Sequence, residues 1–147
     1  KIEPCAKVEF QYEIAFTHPS IGKQKMQFVC DKYSYKKEIA LARTFGFVYD
    51  LEKLQAKGLA KGASMQNAIA MDEGKILNPE GLRCENEFVR HKILDAMGDL
   101  AVLGKKVIGK YSAFAGSHTL NHLLAKEIVK QQAYEVQNAD EILLRGA

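Results

Sequence analysis

Residues 7–17, KVEFQYEIAFT, alternate between apolar and polar side chains, with Ala15 the one exception. Val8, Phe10, Tyr12, Ile14 and Phe16 fall on one face and Lys7, Glu9, Gln11 and Glu13 on the other. A period of two is that of an extended strand with one face wet and one face covered. A sheet built from such strands needs a second layer over its apolar face. His18-Pro-Ser-Ile-Gly22 reads as a turn and Met26–Cys30 as the returning strand of a hairpin. Ser34 to Ala42 reads as a helix with Ser34 as its cap.

The middle of the chain changes rhythm. Phe45–Val48 is a short apolar run, Leu51–Lys57 a short helix stopped by Gly58, and Asn67–Met71 a strand. Asn78-Pro-Glu-Gly81 signals a turn. A longer helix is predicted from Glu87 to Leu103, ended by Gly104, and Val107–Phe114 returns to strand. Ser117 is a candidate N-cap for a final helix from His118 to Gln137. The last ten residues, Asn138 to Ala147, read as a loose tail. The expected fold is α+β: a two-layer sandwich, with a mostly antiparallel sheet against two helices and a small β-α-β insert over about residues 45–71.

The predicted helix from Glu87 carries the chemistry. His91, Asp95 and Asp99 lie four residues apart, each about 40° on from the last around the helix, and Lys92 falls about 20° beyond Asp99. Ile93, Leu94, Met97, Leu100 and Ala101 lie opposite, while Phe88, Val102 and Leu103 mix into the polar quadrant. A helix apolar nearly all round is a buried one, and buried polar groups must be paired or bound. His and Asp one turn apart form either an ion pair or two ligands of one metal, with zinc or another divalent transition ion suiting that donor set. His118 and His122 repeat the spacing and form a rival pair. At its helix start, His118 feels the positive end of the helix dipole, which disfavours the imidazolium; a carboxylate such as Asp99 would favour it. Thr44 offers a hydroxyl at a strand start.

Charge and cysteine content narrow the classes. A net charge of +3 with only paired lysines, such as Lys36-Lys37 and Lys105-Lys106, does not make a nucleic-acid surface. There is no apolar run long enough for a membrane span. Cys5, Cys30 and Cys84 form no CxxC pair, read as small core residues, and fit a cytoplasmic, reducing compartment. The chain starts at Lys1 rather than Met, which raises the expectation of a piece of a longer protein.

Four stretches stand out together: Ala42-Arg-Thr-Phe-Gly-Phe47, Asn78-Pro-Glu-Gly-Leu-Arg83, Glu85-Asn-Glu-Phe-Val-Arg-His-Lys-Ile-Leu-Asp-Ala-Met-Gly-Asp-Leu100 and Gly116-Ser-His-Thr-Leu-Asn121. In combination they resemble the second half of the zinc-dependent UDP-3-O-acyl-N-acetylglucosamine deacetylases of lipid A biosynthesis in Gram-negative bacteria. The resemblance implies two similar α+β domains with the active site between them, residues 1–137 being the second. It implies that His91 and Asp95 are two of three protein ligands of a catalytic Zn²⁺. It further implies that His118 is the catalytic histidine, Asp99 its hydrogen-bond partner, and Thr44 the stabiliser of the oxyanion. Lys92 would lie near the substrate's diphosphate and scissile amide, and Phe16 near its uracil. The segment from Phe45 to Met71 would form a passage for the acyl chain, with Phe45 on the substrate side and Leu51, Met65 and Ala70 lining it. The family's third ligand, a His, and the neighbouring Glu general base belong to the first domain, and no counterpart is found here. The expected partners are therefore the UDP-3-O-acyl-N-acetylglucosamine substrate and the enzyme's own N-terminal domain. The alternative is a non-catalytic ligand-binding fragment.

Overall fold

A computed structural model describes residues 1–138, the side chain of Glu52 excepted. The alternating segment forms β2 (Val8–Ala15), which pairs antiparallel with β3 (Lys23–Val29) as a hairpin. Gly22 closes the turn with a φ of 60°, a conformation that suits a residue without Cβ. On its other side β2 runs parallel to β6 (Gly109–Phe114), with Phe10 opposite Tyr111 and Tyr12 opposite Ala113. A parallel pair needs a crossover, and the connection carries α3 (Glu87–Ala101) back over the sheet. A short β1 (Ile2–Glu3) pairs antiparallel with β6, so the sheet order is β1-β6-β2-β3. Two residues are too few to show a period, and β1 had no signal in the sequence. Its close approach leaves little space at Gly109, where a Cβ would sit 3.1 Å from the Glu3 carbonyl oxygen.

The apolar face of the sheet and α3 make the core. Phe10, Tyr12, Ile14, Phe28 and Tyr111 meet Phe88, Val89, Ile93, Ala96 and Leu100, all buried. The second helix of that layer is α4 (His118–Gln131), which buries Asn121 and Ala125. The insert is a β-α-β unit: β4 (Thr44–Phe47), α2 (Val48–Ala56) and β5 (Ala68–Met71), with β4 and β5 paired in parallel. The α+β two-layer arrangement is the expected one. Among the described residues no helix is long and apolar enough to cross a membrane.

Three local expectations are corrected. The helix expected from Ser34 begins earlier, as α1 (Lys32–Ser34) running into a π-helical turn over Tyr35–Ile39. Its cap is Asp31, whose carboxylate accepts the Tyr33 and Ser34 N–H groups at 2.7 and 2.9 Å. Ser34 is the third residue of that helix and closes a capping box by accepting the Asp31 N–H. The final helix stops at Gln131 rather than Gln137, because Gln132 turns left-handed at φ 51°. Tyr134 and Val136 beyond it are exposed, so no packing draws the helix further. The cysteines are free and partly buried: Cys30 packs against the core as expected, while Cys5 and Cys84 are not among the core residues. Burial pushes the Cys30 and Cys84 thiols up, away from nucleophilic thiolate. Of the predicted tail, all but Asn138 lies outside the described residues.

Candidate active site

The polar stripe on α3 starts one turn before the predicted one. Glu87 lies four residues ahead of His91 and is fully buried. Its carboxylate accepts the Arg43 Nε–H at 2.9 Å, the Arg43 Nη2–H at 3.1 Å and the Arg43 backbone N–H at 3.0 Å. It also accepts the Arg83 backbone N–H at 2.6 Å. Arg43, itself buried, spends its remaining donors on Glu80 and on the Gly81 carbonyl. One carboxylate therefore fixes the start of β4 to the first turn of α3. That juxtaposition brings the Ala42 carbonyl to within 3.3 Å of His91 Nδ1 and sets Thr44, exposed, at the edge of the same region.

A carbonyl only accepts, so His91 donates from Nδ1 and turns the lone pair of Nε2 outward. That nitrogen lies 3.1 Å from Asp95 Oδ1. Two acceptors this close need a proton or a cation between them. Ligands of one tetrahedral zinc at ordinary bond lengths stand about 3.3 Å apart, so the pair fits the group. Burial alone would raise the Asp95 carboxyl. A proton on His91 Nε2 would donate to Asp95 and bring it charge, and with the Lys92 hydrogen bond and charge this outweighs burial and pulls it to about 2. Lys92 Nζ donates to the other Asp95 oxygen at 2.9 Å. Asp95 is thus held as a carboxylate across the physiological range. Among the described residues, no group of three or more His, Cys, Asp or Glu side chains is arranged to hold a metal.

His118 faces this pair from the start of α4. Ser117 caps the helix as expected, its hydroxyl accepting the Leu120 N–H at 3.3 Å. His118 Nδ1 lies 2.8 Å from Asp99 Oδ2, and its Nε2 is 3.8 Å from Asp95 Oδ2. His118 and His122 flank one carboxylate, since His122 Nε2 is 3.6 Å from Asp99 Oδ1. The turn into α4 runs over the Tyr12 hydroxyl. A Cβ built on Gly116 would collide with that hydroxyl and stand 3.5 Å from the Ala113 methyl group. Gly116→Ala is expected to cost about 1–3 kcal/mol. Tyr12→Phe should recover part of that loss in chemical denaturation; equal stability of Gly116→Ala and the unsubstituted protein would contradict the packing.

An aromatic chain links the remaining predicted residues to His91. Phe16 meets Phe45 edge-on at 5.8 Å, and Phe45 lies 5.0 Å from Phe88 and 6.2 Å from His91 between ring centres. In the insert, Leu51 and Ala70 are half-buried and Met65 is exposed. Two surface clefts, one over Asp72–Lys75 and one along Gln11, Glu13 and Ser112–Phe114, include none of the predicted site residues. His18 is structural: its Nδ1 accepts the Ser20 N–H at 3.2 Å, and its Nε2 donates to the Asp72 carbonyl at 2.7 Å.

The sequence profile of UDP-3-O-acyl N-acetylglycosamine deacetylase (LpxC) matches residues 1–130. The chain belongs to this deacetylase family. The UDP-3-O-acyl-N-acetylglucosamine deacetylase of Campylobacter curvus is 54% identical over 143 residues, 97% of this chain and 49% of the relative. That of Helicobacter pylori is 55% identical over 137 residues, covering 92% and 46%, and that of Helicobacter hepaticus 51% over 142 residues, covering 96% and 48%. The chain spans about half the length of the curated relatives it matches.

Several residues of this deacetylase-family chain that shape the region were missed in the sequence. Glu87 extends the His91 stripe by one turn, and the four-residue spacing was there to be read. In the sequence, Asn78 signals only a turn. Its amide donates to the Met65 and Ala68 carbonyls at 2.8 and 2.9 Å and accepts the Ala70 N–H at 2.8 Å, fastening β5 and the loop before it. Asn121 passes for a polar position on α4, yet it is 1% exposed.

Proposed function

We propose that this chain supplies one half of the active site of a zinc-dependent deacetylase. The reaction is hydrolysis of the N-acetyl group of UDP-3-O-acyl-N-acetylglucosamine, the committed step of lipid A biosynthesis, in the cytoplasm of a Gram-negative bacterium. Residues 1–137 form the second domain. The first domain brings the third ligand, a His, and the Glu that acts as general base. The observation that carries this reading is the His91–Asp95 pair, 3.1 Å apart, with the His91 lone pair turned outward and the His118–Asp99 pair beside it.

His91 and Asp95 would hold the zinc, and a zinc so held supplies Lewis acidity that brings the pKa of water toward about 7. The chain's own side chains do the rest. Asp99 accepts from His118 Nδ1 and so presents His118 Nε2 to the leaving amine, which it protonates. Thr44 donates a hydrogen bond from its hydroxyl to the oxyanion that develops on the acetamide carbonyl oxygen. The Lys92 ammonium, held by Asp95, gives positive charge on the diphosphate side. Phe16 and Phe45 offer aromatic faces to the nucleotide and sugar side, and Leu51, Met65 and Ala70 line the way for the acyl chain. A chain with two ligands alone also fits a second reading, a ligand-binding fragment without turnover.

Asp95→Ala in the full-length protein is expected to lower bound zinc by at least tenfold at limiting metal and to abolish deacetylation. Metal content is read by elemental analysis after gel filtration. Full zinc occupancy in the variant would remove Asp95 from the ligand set.

A further inference from the structure

We propose that Asn121 is a positioning residue for His118, acting through Asp99 and held in turn by Tyr111; this rests on the deacetylase reading above. The Asn121 side chain lies under the start of α4, 1% exposed. Asp99 can only accept from it, so its Nδ2 faces Asp99 Oδ2, at 2.8 Å. Its Oδ1 then faces the sheet and accepts the Tyr111 hydroxyl at 2.6 Å. Tyr111 is 4% exposed and is locked by ring contacts with Phe10 at 5.6 Å and Tyr12 at 6.2 Å. A fixed element of the core thus dictates the amide orientation, and the amide dictates the carboxylate.

The need for such a device follows from exposure. The His118 side chain is 63% exposed against 12% for Asp99, so solvent competes for the imidazole and the carboxylate must be fixed from its buried side. Asp99 Oδ2 receives both His118 Nδ1 and Asn121 Nδ2 at 2.8 Å. The carboxylate is therefore oriented from the buried side before His118 binds to it. A buried amide costs stability unless both its ends are satisfied, whereas a leucine at the same place would bury without that cost. One of the two bonds that compensate Asn121 goes to the candidate site.

The test uses Asn121→Leu in the full-length zinc-loaded protein, with UDP-3-O-acyl-N-acetylglucosamine as substrate and ¹⁵N NMR of the His118 ring. The expected result is a kcat about 10–100-fold lower with KM and zinc content unchanged. The His118 ring signals should move toward those of a free imidazole. In an Asp99→Ala background the same substitution should change kcat less than about twofold, since residues that act as one unit are not additive. Tyr111→Phe removes only the outer bond and should give a smaller loss, roughly fivefold. It serves in place of Asn121→Leu if that variant fails to fold. Unchanged His118 signals, or an equal loss of kcat with and without Asp99, would make Asn121 a core residue only. Absence of deacetylation in the unsubstituted protein would overturn the deacetylase reading instead, and the His118 signals would still decide the positioning.

Discussion

In the full-length protein, His118→Ala is expected to lower kcat by about 10²–10⁴-fold, the range supplied by one positioned general acid. Zinc content should not change. His118 Nδ1 is committed to Asp99 at 2.8 Å, and its Nε2 stands 3.8 Å from Asp95, so it lies beside the ligand pair rather than within it. Its proposed task is to give a proton to an amine that would otherwise leave as a strong base. KM should move little, because an exposed imidazole contributes little to ground-state binding. Turnover within tenfold of the unsubstituted enzyme would end this role. Loss of zinc together with activity would instead make His118 a ligand.

The second large effect is on stability. Glu87→Gln should cost about 3–5 kcal/mol, because it leaves the Arg43 guanidinium buried against an uncharged amide. The Arg43 and Glu87 side chains are 1% and 0% exposed. Burial by itself would raise the Glu87 carboxyl, but the Arg43 hydrogen bonds, the Arg83 N–H and the Arg43 charge together hold it below its ordinary 4.5. A carboxyl with a depressed folded pKa stabilises the fold above its unfolded value. That contribution is lost as the pH falls through the folded value. The gap in unfolding free energy between the unsubstituted protein and Glu87→Gln should therefore be full at pH 7 and shrink below about pH 4.5. Urea denaturation across that range measures it, and a gap independent of pH would mean that the pair is not ionic. The same variant should also lower activity, since Glu87 ties the start of β4 to the turn that precedes His91.

The parts of the fold that follow from periodicity were legible in the sequence. Alternation placed β2, and its partner β3 followed from the turn at His18–Gly22. The β-α-β insert was marked by Gly58, and α3 by its apolar surround and Gly104. Contacts made across the chain were not legible. The register of β6 beside β2 depends on a crossover, and β1 exists only because β6 offers it an edge. The helix caps were half read: Ser117 behaves as expected, whereas Asp31 takes the place of Ser34 because its carboxylate, three residues earlier, accepts the Tyr33 and Ser34 N–H groups and starts the helix before Ser34. For the candidate site, the stripe His91–Asp95–Asp99 is local and could be read from spacing. Its supports are not local: Ala42 for His91, Arg43 for Glu87 and Tyr111 for Asn121. Each of those comes from another element, and nothing in a single segment announces it.

A divided active site has a direct test in zinc content and deacetylase activity measured together. The two are measured on this chain alone, on a separately produced first domain, and on their mixture, with the folding of both checked by circular dichroism. A divided site predicts stoichiometric zinc and turnover of UDP-3-O-acyl-N-acetylglucosamine in the mixture, with neither half active alone. Tight zinc binding and turnover by this chain alone would contradict it.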